Sequence, residues 1–306
     1  MKILKSKIKG FDIKPNLSSS RIIDILINDD LINHLTTSFN KFDLETIEYK
    51  PFTRFTIAKI IDEYTENKLS KLLNIILKDR NMGCIKLEIR KKNKKISDIL
   101  LILISTGITH LIGIPNFDSM SGKFYARFSI KHKDKSDSYL RKAYLNMDLH
   151  TDGTFVKEKT DWLMMTKLLE RNVIGGETSL LHLDDWEHLD EMISYSVGFK
   201  NFIWSSPKSK NINYKVKHPI FFYDNNKKIQ ISYIDQFPEP QNMKQGLFLQ
   251  KLSNTLEESK NKVFVKLPTA SSIIANNSFW LHGRKPFKTN TKLNRELLRI
   301  RGIFFK

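Results

Sequence analysis

Two histidines and one aspartate in this 306-residue chain could together bind a metal ion. His150 and Asp152 are two residues apart, and on a β-strand side chains at i and i+2 project from the same face. His282 ends an apolar run and is followed by Gly283, which favours a turn. Two imidazoles and one carboxylate on one side of an ion form the facial triad typical of non-haem ferrous iron, which leaves three coordination positions free. The sequence therefore predicts an iron site.

Other groups of histidines and carboxylates compete with this interpretation, because a lone His-x-Asp pair is more often a turn with a hydrogen-bonded aspartate. The pair His132-Lys-Asp134 lies within a lysine-rich run, which predicts a solvated turn. The segment 181–190 also holds several potential ligands. There, Asp184 and Glu187 are spaced as in a capping box, which predicts the start of an amphipathic helix and no metal site.

Two arginines near the carboxyl terminus, Arg299 and Arg301, alternate with apolar residues as in a strand. They share one face with Leu297 and Ile303, so their guanidinium groups could point into a partly apolar interior. Paired N–H donors of this kind suit carboxylate ligands. An exposed strand with ordinary surface arginines fits the same pattern, and the residues alone leave both possibilities open.

Composition excludes several classes of protein. With 40% hydrophobic residues, 11% aromatic residues, 12 Gly and 9 Pro, the chain is neither disordered nor fibrous. A single cysteine, Cys84, permits no intramolecular disulfide or cysteine metal cluster, so we expect a core thiol and a cytoplasmic location. The most apolar stretch, Ile99–Ile114, is too short and too polar to cross a bilayer, and no secretory signal is expected.

The formal net charge of +18 raises the possibility of a nucleic-acid partner. However, the lysines are scattered along the chain, and only Arg90–Lys95 forms a dense block. No recognition helix, aromatic RNA-binding strand or zinc finger accompanies that block. A solvated lysine-rich surface accounts better for the charge. A non-catalytic basic nucleic-acid-binding protein remains the alternative from a different functional class.

The first part of the chain, residues 1–108, is predicted to be a mainly helical subregion. Apolar residues at helical spacing predict helices over Ile22–Leu35 and Ile57–Leu77. Cys84–Ile89 alternates like a short strand, and Ser97 could cap a buried helix over Ile99–Ile104.

Residues 109–306 change to short β-type runs separated by polar turns, which predicts a jelly-roll core. The whole chain is therefore expected to be one domain, mainly β with flanking helices. The predicted strands are Phe124–Ile130, Trp162–Leu169, Glu177–Leu183, Ile220–Tyr223, Ile229–Ile234, Ser271–Ala275 and Leu297–Phe304. Glycine-rich nucleotide loops and a GxSxG elbow are absent from the sequence, which argues against nucleotide and acyl-transfer chemistry.

Several longer motifs give the chain a resemblance to a known family. It resembles the CsiD family, within the taurine-dioxygenase-like branch of the 2-oxoglutarate oxygenases, over about Gly10 to Phe305. The motifs that carry the resemblance are Tyr49–Phe55, His110–Gly113, Asn116–Phe128, Ser138–Arg141, His150–Thr154, Gly175–Thr178, Leu181–Leu189, Tyr233–Phe237, Trp280–Arg284 and the terminal arginine strand.

The resemblance implies a double-stranded β-helix, a form of jelly roll, in which His150, Asp152 and His282 hold Fe(II). It implies 2-oxoglutarate and O2 as cosubstrates. The far carboxylate of 2-oxoglutarate would meet Arg299 or Arg301, with Thr178 as a hydroxyl contact.

The implied reaction is hydroxylation of glutarate to 2-hydroxyglutarate, with release of succinate and CO2, in the breakdown of lysine. The alternative is the same chemistry on another small carboxylic or amino acid. Arg127 shares a strand face with Tyr125, and these two residues are the expected substrate contacts, although an ordinary strand arginine fits Arg127 equally well. The resemblance also implies a homotetramer.

Overall fold

The structure is a computed structural model that describes residues 8–89, 96–133 and 142–306. The basic block Arg90–Lys95, the motif Ser138–Arg141 and residue Asp134 lie outside the described residues, so the predictions that involve them stay predictions.

Helices and strands of the described residues are numbered here in chain order. The helices are α1 (Asp29–Ser38), α2 (Leu44–Tyr49), α3 (Pro51–Tyr64), α4 (Leu69–Lys78), α5 (Asp98–Ile112), α6 (Leu189–Ser194) and α7 (Met243–Glu258). The strands are β1 (Phe11–Pro15), β2 (Ile22–Ile27), β3 (Cys84–Ile89), β4 (Gly113–Pro115), β5 (Ala126–Lys131), β6 (Met147–His150), β7 (Trp162–Arg171), β8 (Thr178–His182), β9 (Phe202–Trp204), β10 (Val216–His218), β11 (Phe221–Tyr223), β12 (Ile229–Ile231), β13 (Pro238–Glu239), β14 (Val263–Val265), β15 (Ser271–Asn276), β16 (Trp280–Arg284) and β17 (Asn294–Phe304).

Two sheets form the core. The larger has eight strands in the order β1-β2-β3-β15-β7-β17-β4, with β5 also paired to β17, and the smaller has the order β14-β8-β16-β6. Apolar side chains of both sheets, such as Ile273 from β15 and Leu281 from β16, belong to one buried cluster, so the two sheets share a core. The predicted β-rich, jelly-roll type of fold is confirmed, and each of the seven predicted strands is present with slightly different ends.

The helices of the first hundred residues cover the other side of the larger sheet. Helix α5 begins at the predicted cap, where the Ser97 side chain accepts a hydrogen bond from the backbone N–H of Leu100 at 3.2 Å. From Leu101 to Ile112 every side chain of this helix is buried. A helix that is apolar on all sides must be covered on all sides, and α3, α4 and β7 all contact it. The helix runs on to Ile112, beyond the predicted end at Ile104.

Three details of the predicted organisation were wrong. Ile22–Leu35 is not one helix, because Ile22–Ile27 forms β2 and pairs in parallel with β3. Ile57–Leu77 is divided into α3 and α4 at Glu66 and Asn67, both left-handed with φ of 56° and 58°. The boundary at 108/109 falls inside α5, and β3 of the first part pairs with β15 of the second.

Cys84 is buried and free, as predicted. No helix among the described residues combines the length and the apolar character that a membrane crossing requires.

Candidate active site

The two histidines of the predicted triad lie on neighbouring strands of the smaller sheet. His150 is the last residue of β6, and His282 is the middle residue of β16. The strands are antiparallel, and their register places the two residues directly opposite each other. Their ring centroids are 4.2 Å apart, and both side chains are buried. The sheet thus brings together two imidazoles that are separated by more than a hundred residues in sequence.

Asp152 reaches the same place from a loop, which corrects the prediction that it shares a strand face with His150. Strand β6 ends at His150, and the chain then turns through Gly153, whose φ is +84°. A Cβ at Gly153 would lie 2.4 Å from Thr160 Oγ1, so the turn needs glycine for space as well as for its backbone angle.

Asn277 fixes the loop that carries Asp152. Its side-chain oxygen accepts a hydrogen bond from the Asp152 N–H at 2.8 Å, and its Nδ2 donates to the Asp152 carbonyl at 2.9 Å. The same Nδ2 donates to the Thr160 carbonyl at 2.9 Å. Because Asn277 lies shortly before β16, it ties the loop of one candidate ligand to the strand of another. Sequence reasoning did not identify Asn277, although it lies in the segment that leads to His282.

The triad fits a ferrous ion. One potential ligand atom from each of His150, Asp152 and His282 lies within 4.8 Å of the others. His150 Nδ1 donates to the Asp148 carbonyl at 2.8 Å, which leaves the Nε2 lone pair available for a metal. His282 Nδ1 is buried and has no hydrogen-bond partner among the described residues. Such a nitrogen is stabilised by a ligand that the protein itself does not supply.

The electrostatics keep these groups in the protonation states that a cation requires. Burial lowers the pKa of His282 to about 3, with a further contribution from His150, so this imidazole is neutral at physiological pH. Burial alone would raise the pKa of Asp152, but the Arg299 guanidinium and the nearby imidazoles hold it well below its usual range. A neutral imidazole and an ionised carboxylate both offer lone pairs to a metal.

Arg299 connects the triad to a second carboxylate. Its Nη1 lies 3.1 Å from Asp152 Oδ2, and its Nη2 donates to Asp118 Oδ2 at 2.7 Å. Burial would lower the pKa of Arg299, but the two carboxylates raise it, so the guanidinium stays charged. Arg299 takes the inward of the two orientations that the sequence left open, and its partly buried charge is paired with two carboxylates.

A cavity of about 110 Å³ opens next to the triad. Its wall contains apolar side chains and the guanidinium groups of Arg284, Arg295 and Arg299. The residues that line it are Phe128, Ile130, Met147, His150, Thr151, Asp152, Gly153, Phe155, Met165, Thr178, Lys210, Ile234, Phe237, Leu267, His282, Gly283, Arg284, Arg295, Leu297 and Arg299. A small concave space with a few converging charges is typical of a site for a small polar ligand.

Arg295 is the clearest anion-binding group in this cavity. Only 2% of the residue is exposed, and its Nε and Nη1 have no hydrogen-bond partner among the described residues. Burial lowers its pKa to about 10. Arg284 is also buried, and both guanidinium groups lie near the Phe287 ring, at 4.6 Å for Arg284 and 5.4 Å for Arg295. Buried guanidinium groups without a carboxylate partner favour binding of an anion from solution.

Sequence reasoning missed Arg295, although the two-residue alternation along its strand could have identified it. Positions 295, 297 and 299 of β17 all line the cavity, as the two-residue period of a strand requires. The pairing of β17 with β7 contains a bulge, in which Leu168 of β7 has no opposite residue on β17. Because the extra residue is on β7, the side chains of β17 continue to alternate between its two faces. The prediction considered only Arg299 and Arg301.

The other predicted site residues are divided between the cavity and the rest of the molecule. Thr178 lines the cavity. Arg301 is buried but does not line it, and Arg301 Nη1 lies 3.5 Å from Thr160 Oγ1, behind the Gly153 turn. Of the two arginines that were left open, Arg299 lines the cavity and contacts Asp152. Arg301 does not line the cavity, but its charge also lowers the pKa of Asp152.

The structure does not place Tyr125 and Arg127, the expected substrate contacts, among the residues that line the cavity. The Tyr125 hydroxyl donates to Glu48. Arg127 is exposed, and its Nε donates to Glu296 at 2.6 Å. The alternation of β5 explains the position of Arg127, because Phe128 and Ile130 are the residues of that strand that line the cavity.

The second group of potential ligands, residues 181–190, forms no metal site in the described part of the chain, where the triad is the one group of three ligand atoms found together. Its predicted capping box was wrong, because Asp184 pairs with Arg80 and Glu187 accepts a hydrogen bond from the Lys260 N–H. The helix begins later, at Leu189.

Comparison with solved structures supports the fold. The structure resembles an asparagine oxygenase in complex with Fe(II), 2S,3S-3-hydroxyasparagine and succinate, with a TM-score of 0.69 and 14% identity over 92% of this chain and 93% of that one. It also resembles the non-heme iron oxygenase OrfP in complex with Fe, succinate and (3S)-hydroxy-L-Arg. The TM-score is 0.67, with 13% identity over 92% of this chain and 93% of that one. At these identities the likeness concerns the fold.

Sequence comparison gives a closer relationship. A glutarate 2-hydroxylase from Klebsiella pneumoniae (strain 342) is 40% identical over 295 residues, which cover 96% of this chain and 91% of the relative. A glutarate 2-hydroxylase from Salmonella paratyphi B is 38% identical over 301 residues, which cover 98% of this chain and 93% of the relative. The sequence model of the CsiD family matches residues 11–304. The chain therefore belongs to the CsiD family.

Proposed function

We propose that this protein is an Fe(II)- and 2-oxoglutarate-dependent dioxygenase that hydroxylates glutarate to 2-hydroxyglutarate and releases succinate and CO2. The observation that carries the proposal is the convergence of His150, Asp152 and His282 on one small cavity that also contains Arg295, whose Nε and Nη1 have no hydrogen-bond partner among the described residues. Both relatives are named glutarate 2-hydroxylase, which supports glutarate as the substrate.

His150, Asp152 and His282 would hold a ferrous ion, which would supply the redox chemistry that couples O2 and the keto acid to hydroxylation of a C–H bond. The chain itself supplies three ligands on one side of the ion. The three side chains line the cavity, where the two acids would bind.

Arg295 is our proposed partner for the far carboxylate of 2-oxoglutarate, with Thr178 as a second donor. Both residues line the cavity, and Arg295 is the buried guanidinium whose Nε and Nη1 have no partner among the described residues. A guanidinium binds a carboxylate through two parallel N–H donors, which fixes the direction of the ligand as well as its position. Phe287 restricts the orientation of Arg295, because the guanidinium carbon lies 5.4 Å from the centre of that ring.

Arg299 is our proposed partner for the substrate carboxylate nearer the metal. It lines the cavity directly beside Asp152 and keeps its charge through the two carboxylates that it contacts. Apolar side chains, among them Phe128 and Leu297, form the wall between the charged groups. Such a wall excludes water and strengthens the electrostatic attraction between the acids and the guanidinium groups.

Three further expectations belong to this proposal: a cytoplasmic location, a homotetramer, and a role in the breakdown of glutarate and lysine. Light scattering coupled to size-exclusion chromatography measures the mass in solution, and four chains of 35.9 kDa are expected. A monomeric mass would contradict the tetramer without affecting the proposed reaction.

The proposed reaction is tested by mixing purified protein with Fe(II), 2-oxoglutarate and glutarate without oxygen, then adding oxygen and analysing the products. Equal amounts of succinate and 2-hydroxyglutarate are expected. If glutarate does not increase the consumption of 2-oxoglutarate but another small acid does, that acid is the substrate and the proposal for glutarate is wrong.

A further inference from the structure

His218 contacts the loop that carries the candidate ligand Asp152, although it takes no part in the proposed binding of the metal or the acids. The loop, residues 151–156, follows β6, and we call it the triad loop. His218 is the last residue of β10, and its Nε2 lies 2.7 Å from the carbonyl oxygen of Thr154. The contact therefore joins the small sheet β10-β9-β13 to the segment that must hold a metal ligand in place.

The Thr154 carbonyl needs a hydrogen-bond donor from the protein, because Thr154 is only 1% exposed. A carbonyl oxygen can only accept, so His218 serves it only when Nε2 carries a hydrogen. The other ring nitrogen, Nδ1, lies 2.8 Å from the carbonyl oxygen of Pro219, which is partly exposed and so depends less on the ring. The Nε2–H tautomer and the imidazolium both meet the requirement of Thr154, whereas the Nδ1–H tautomer does not.

Trp204 holds the imidazole of His218 in the orientation that this bond requires. The two rings are stacked, with centroids 4.7 Å apart and planes 8° from parallel. Trp204 is fully buried, and its Nε1 donates to the His218 carbonyl at 3.1 Å. The pairing of β10 with β9 places His218 opposite Phe202. The fold therefore fixes both the backbone and the ring of His218.

The triad loop is attached to the rest of the fold on both sides of Gly153. On one side, Asn277 holds the backbone of Asp152 through two hydrogen bonds. On the other side, His218 holds the carbonyl of Thr154. Gly153 itself, with φ of +84°, adds little restraint, because glycine permits many backbone angles. Loss of the His218 bond would let the peptide after Gly153 rotate and would loosen the Asp152 carboxylate.

His218 lies outside the cavity that contains the triad. It lines a second cavity of about 320 Å³ and does not line the first. Asp152 and Gly153 line both cavities, so the triad loop belongs to the wall of each. From this place His218 can position Asp152 without occupying the space of the metal or the acids.

We propose that His218 is a positioning residue of the metal site, which donates from Nε2 to the Thr154 carbonyl and so holds the Asp152 carboxylate where a metal ion requires it. The inference rests on the metal site of the proposed function and adds to it a residue outside the three ligands. Residues that orient a metal ligand in this way contribute about 10- to 100-fold to metal affinity.

Calorimetry with Co(II) on the full chain, without either acid, tests this assignment. His218→Phe keeps an aromatic ring against Trp204 but removes the donor, so we expect about 10- to 100-fold weaker binding of Co(II). His218→Gln retains an N–H donor close to the position of Nε2 and should bind Co(II) within about threefold of the wild type.

His132→Phe is the matched control for these variants. His132 is also partly buried, its Nδ1 lies 2.7 Å from the Tyr144 hydroxyl, and it lines neither of the two cavities. This variant therefore loses a histidine hydrogen bond elsewhere in the fold and should bind Co(II) as the wild type does.

NMR of metal-free protein labelled with 15N-histidine gives a readout that needs no turnover, with the His218 signals assigned by their absence from His218→Gln. We expect a hydrogen on Nε2 of His218. The inference is overturned if Nε2 carries no hydrogen, if His218→Phe binds Co(II) as the wild type does, or if His218→Gln loses as much affinity as His218→Phe. The expected Co(II) affinities in a protein that does not hydroxylate glutarate would support this inference and contradict the proposed reaction alone.

Discussion

His150 and His282 face each other across two antiparallel strands, with ring centroids 4.2 Å apart. Because a strand pair sets this distance, the spacing of two metal ligands is determined by backbone hydrogen bonds and not by flexible side chains. The third ligand, Asp152, is held by the two hydrogen bonds that Asn277 makes to its backbone. A site that is assembled in this way exists before the metal binds, which lowers the cost of ordering the ligands.

Removal of one triad member should abolish both metal binding and catalysis. For His150→Ala and Asp152→Ala we expect at least a 100-fold loss of affinity for Fe(II) or Co(II), measured by calorimetry, and no glutarate-stimulated succinate. His188→Ala is the matched control, because the His188 side chain is 40% exposed and does not line the cavity. The circular dichroism spectra of all three variants should match the wild type. Normal turnover in both triad variants would rule out the triad as the metal site.

Replacement of Arg295 by methionine should raise the KM for 2-oxoglutarate about 10- to 100-fold, because it removes a charge-assisted pair of hydrogen bonds. The melting temperature without ligands should stay equal or rise, since the change removes a buried guanidinium whose Nε and Nη1 have no partner among the described residues. Arg127→Met, which removes an exposed arginine on the adjoining strand, is the control and should leave the KM unchanged. An unchanged KM in Arg295→Met would place the cosubstrate elsewhere.

Gly176 controls the position of Phe287, the ring that lies near both Arg284 and Arg295. Its φ is +71°, and a Cβ at this position would lie 1.7 Å from Phe287 Cε1. Gly176→Ala should therefore cost at least about 2 kcal/mol of unfolding free energy and raise the KM for 2-oxoglutarate by displacing the ring. Gly246→Ala, in α7 where a Cβ has open space, should be neutral or slightly stabilising. Urea unfolding compares the two, and equal effects would contradict the proposed role of Gly176.

The stability of the protein should fall on acidification from about pH 6.5 toward pH 4. Burial lowers the pKa of His110 to about 4 and that of His182 to about 4, from an ordinary value of 6.5. The unfolded chain therefore binds protons in this range that the folded chain does not, which favours unfolding as the pH falls. Each histidine should cost about 2 kcal/mol at pH 5 relative to pH 8.

His110→Phe tests the contribution of one of these histidines. The imidazole packs edge-on against Phe55 and Phe124, so a phenyl ring keeps the shape of the contact and removes the titration. Urea midpoints at pH 8 and pH 5 should differ less in this variant than in the wild type. A pH dependence equal to that of the wild type would show that His110 is not protonated on unfolding.

The sequence predicted half of the strands in the two core sheets, namely β3, β5, β7, β8, β15 and β17, and the three candidate ligands, because alternation and residue type are local properties. It did not distinguish a helix from a strand at Ile22–Ile27, where a run of apolar residues fits either period. It placed Arg127 in the site because alternation identifies residues that share a face but not which face points inward. Asn277 and Arg295 act through contacts with distant segments, so only the folded chain reveals them.

The central claim is that the triad, together with its cavity, couples the oxidation of 2-oxoglutarate to the hydroxylation of glutarate. The most direct measurement supplies 18O2 to the iron-loaded protein with both acids and determines the label in each product by mass spectrometry. We predict one labelled oxygen in succinate and one in 2-hydroxyglutarate, formed in equal amounts. Succinate that forms at the same rate without glutarate, or 2-hydroxyglutarate without label, would contradict this account.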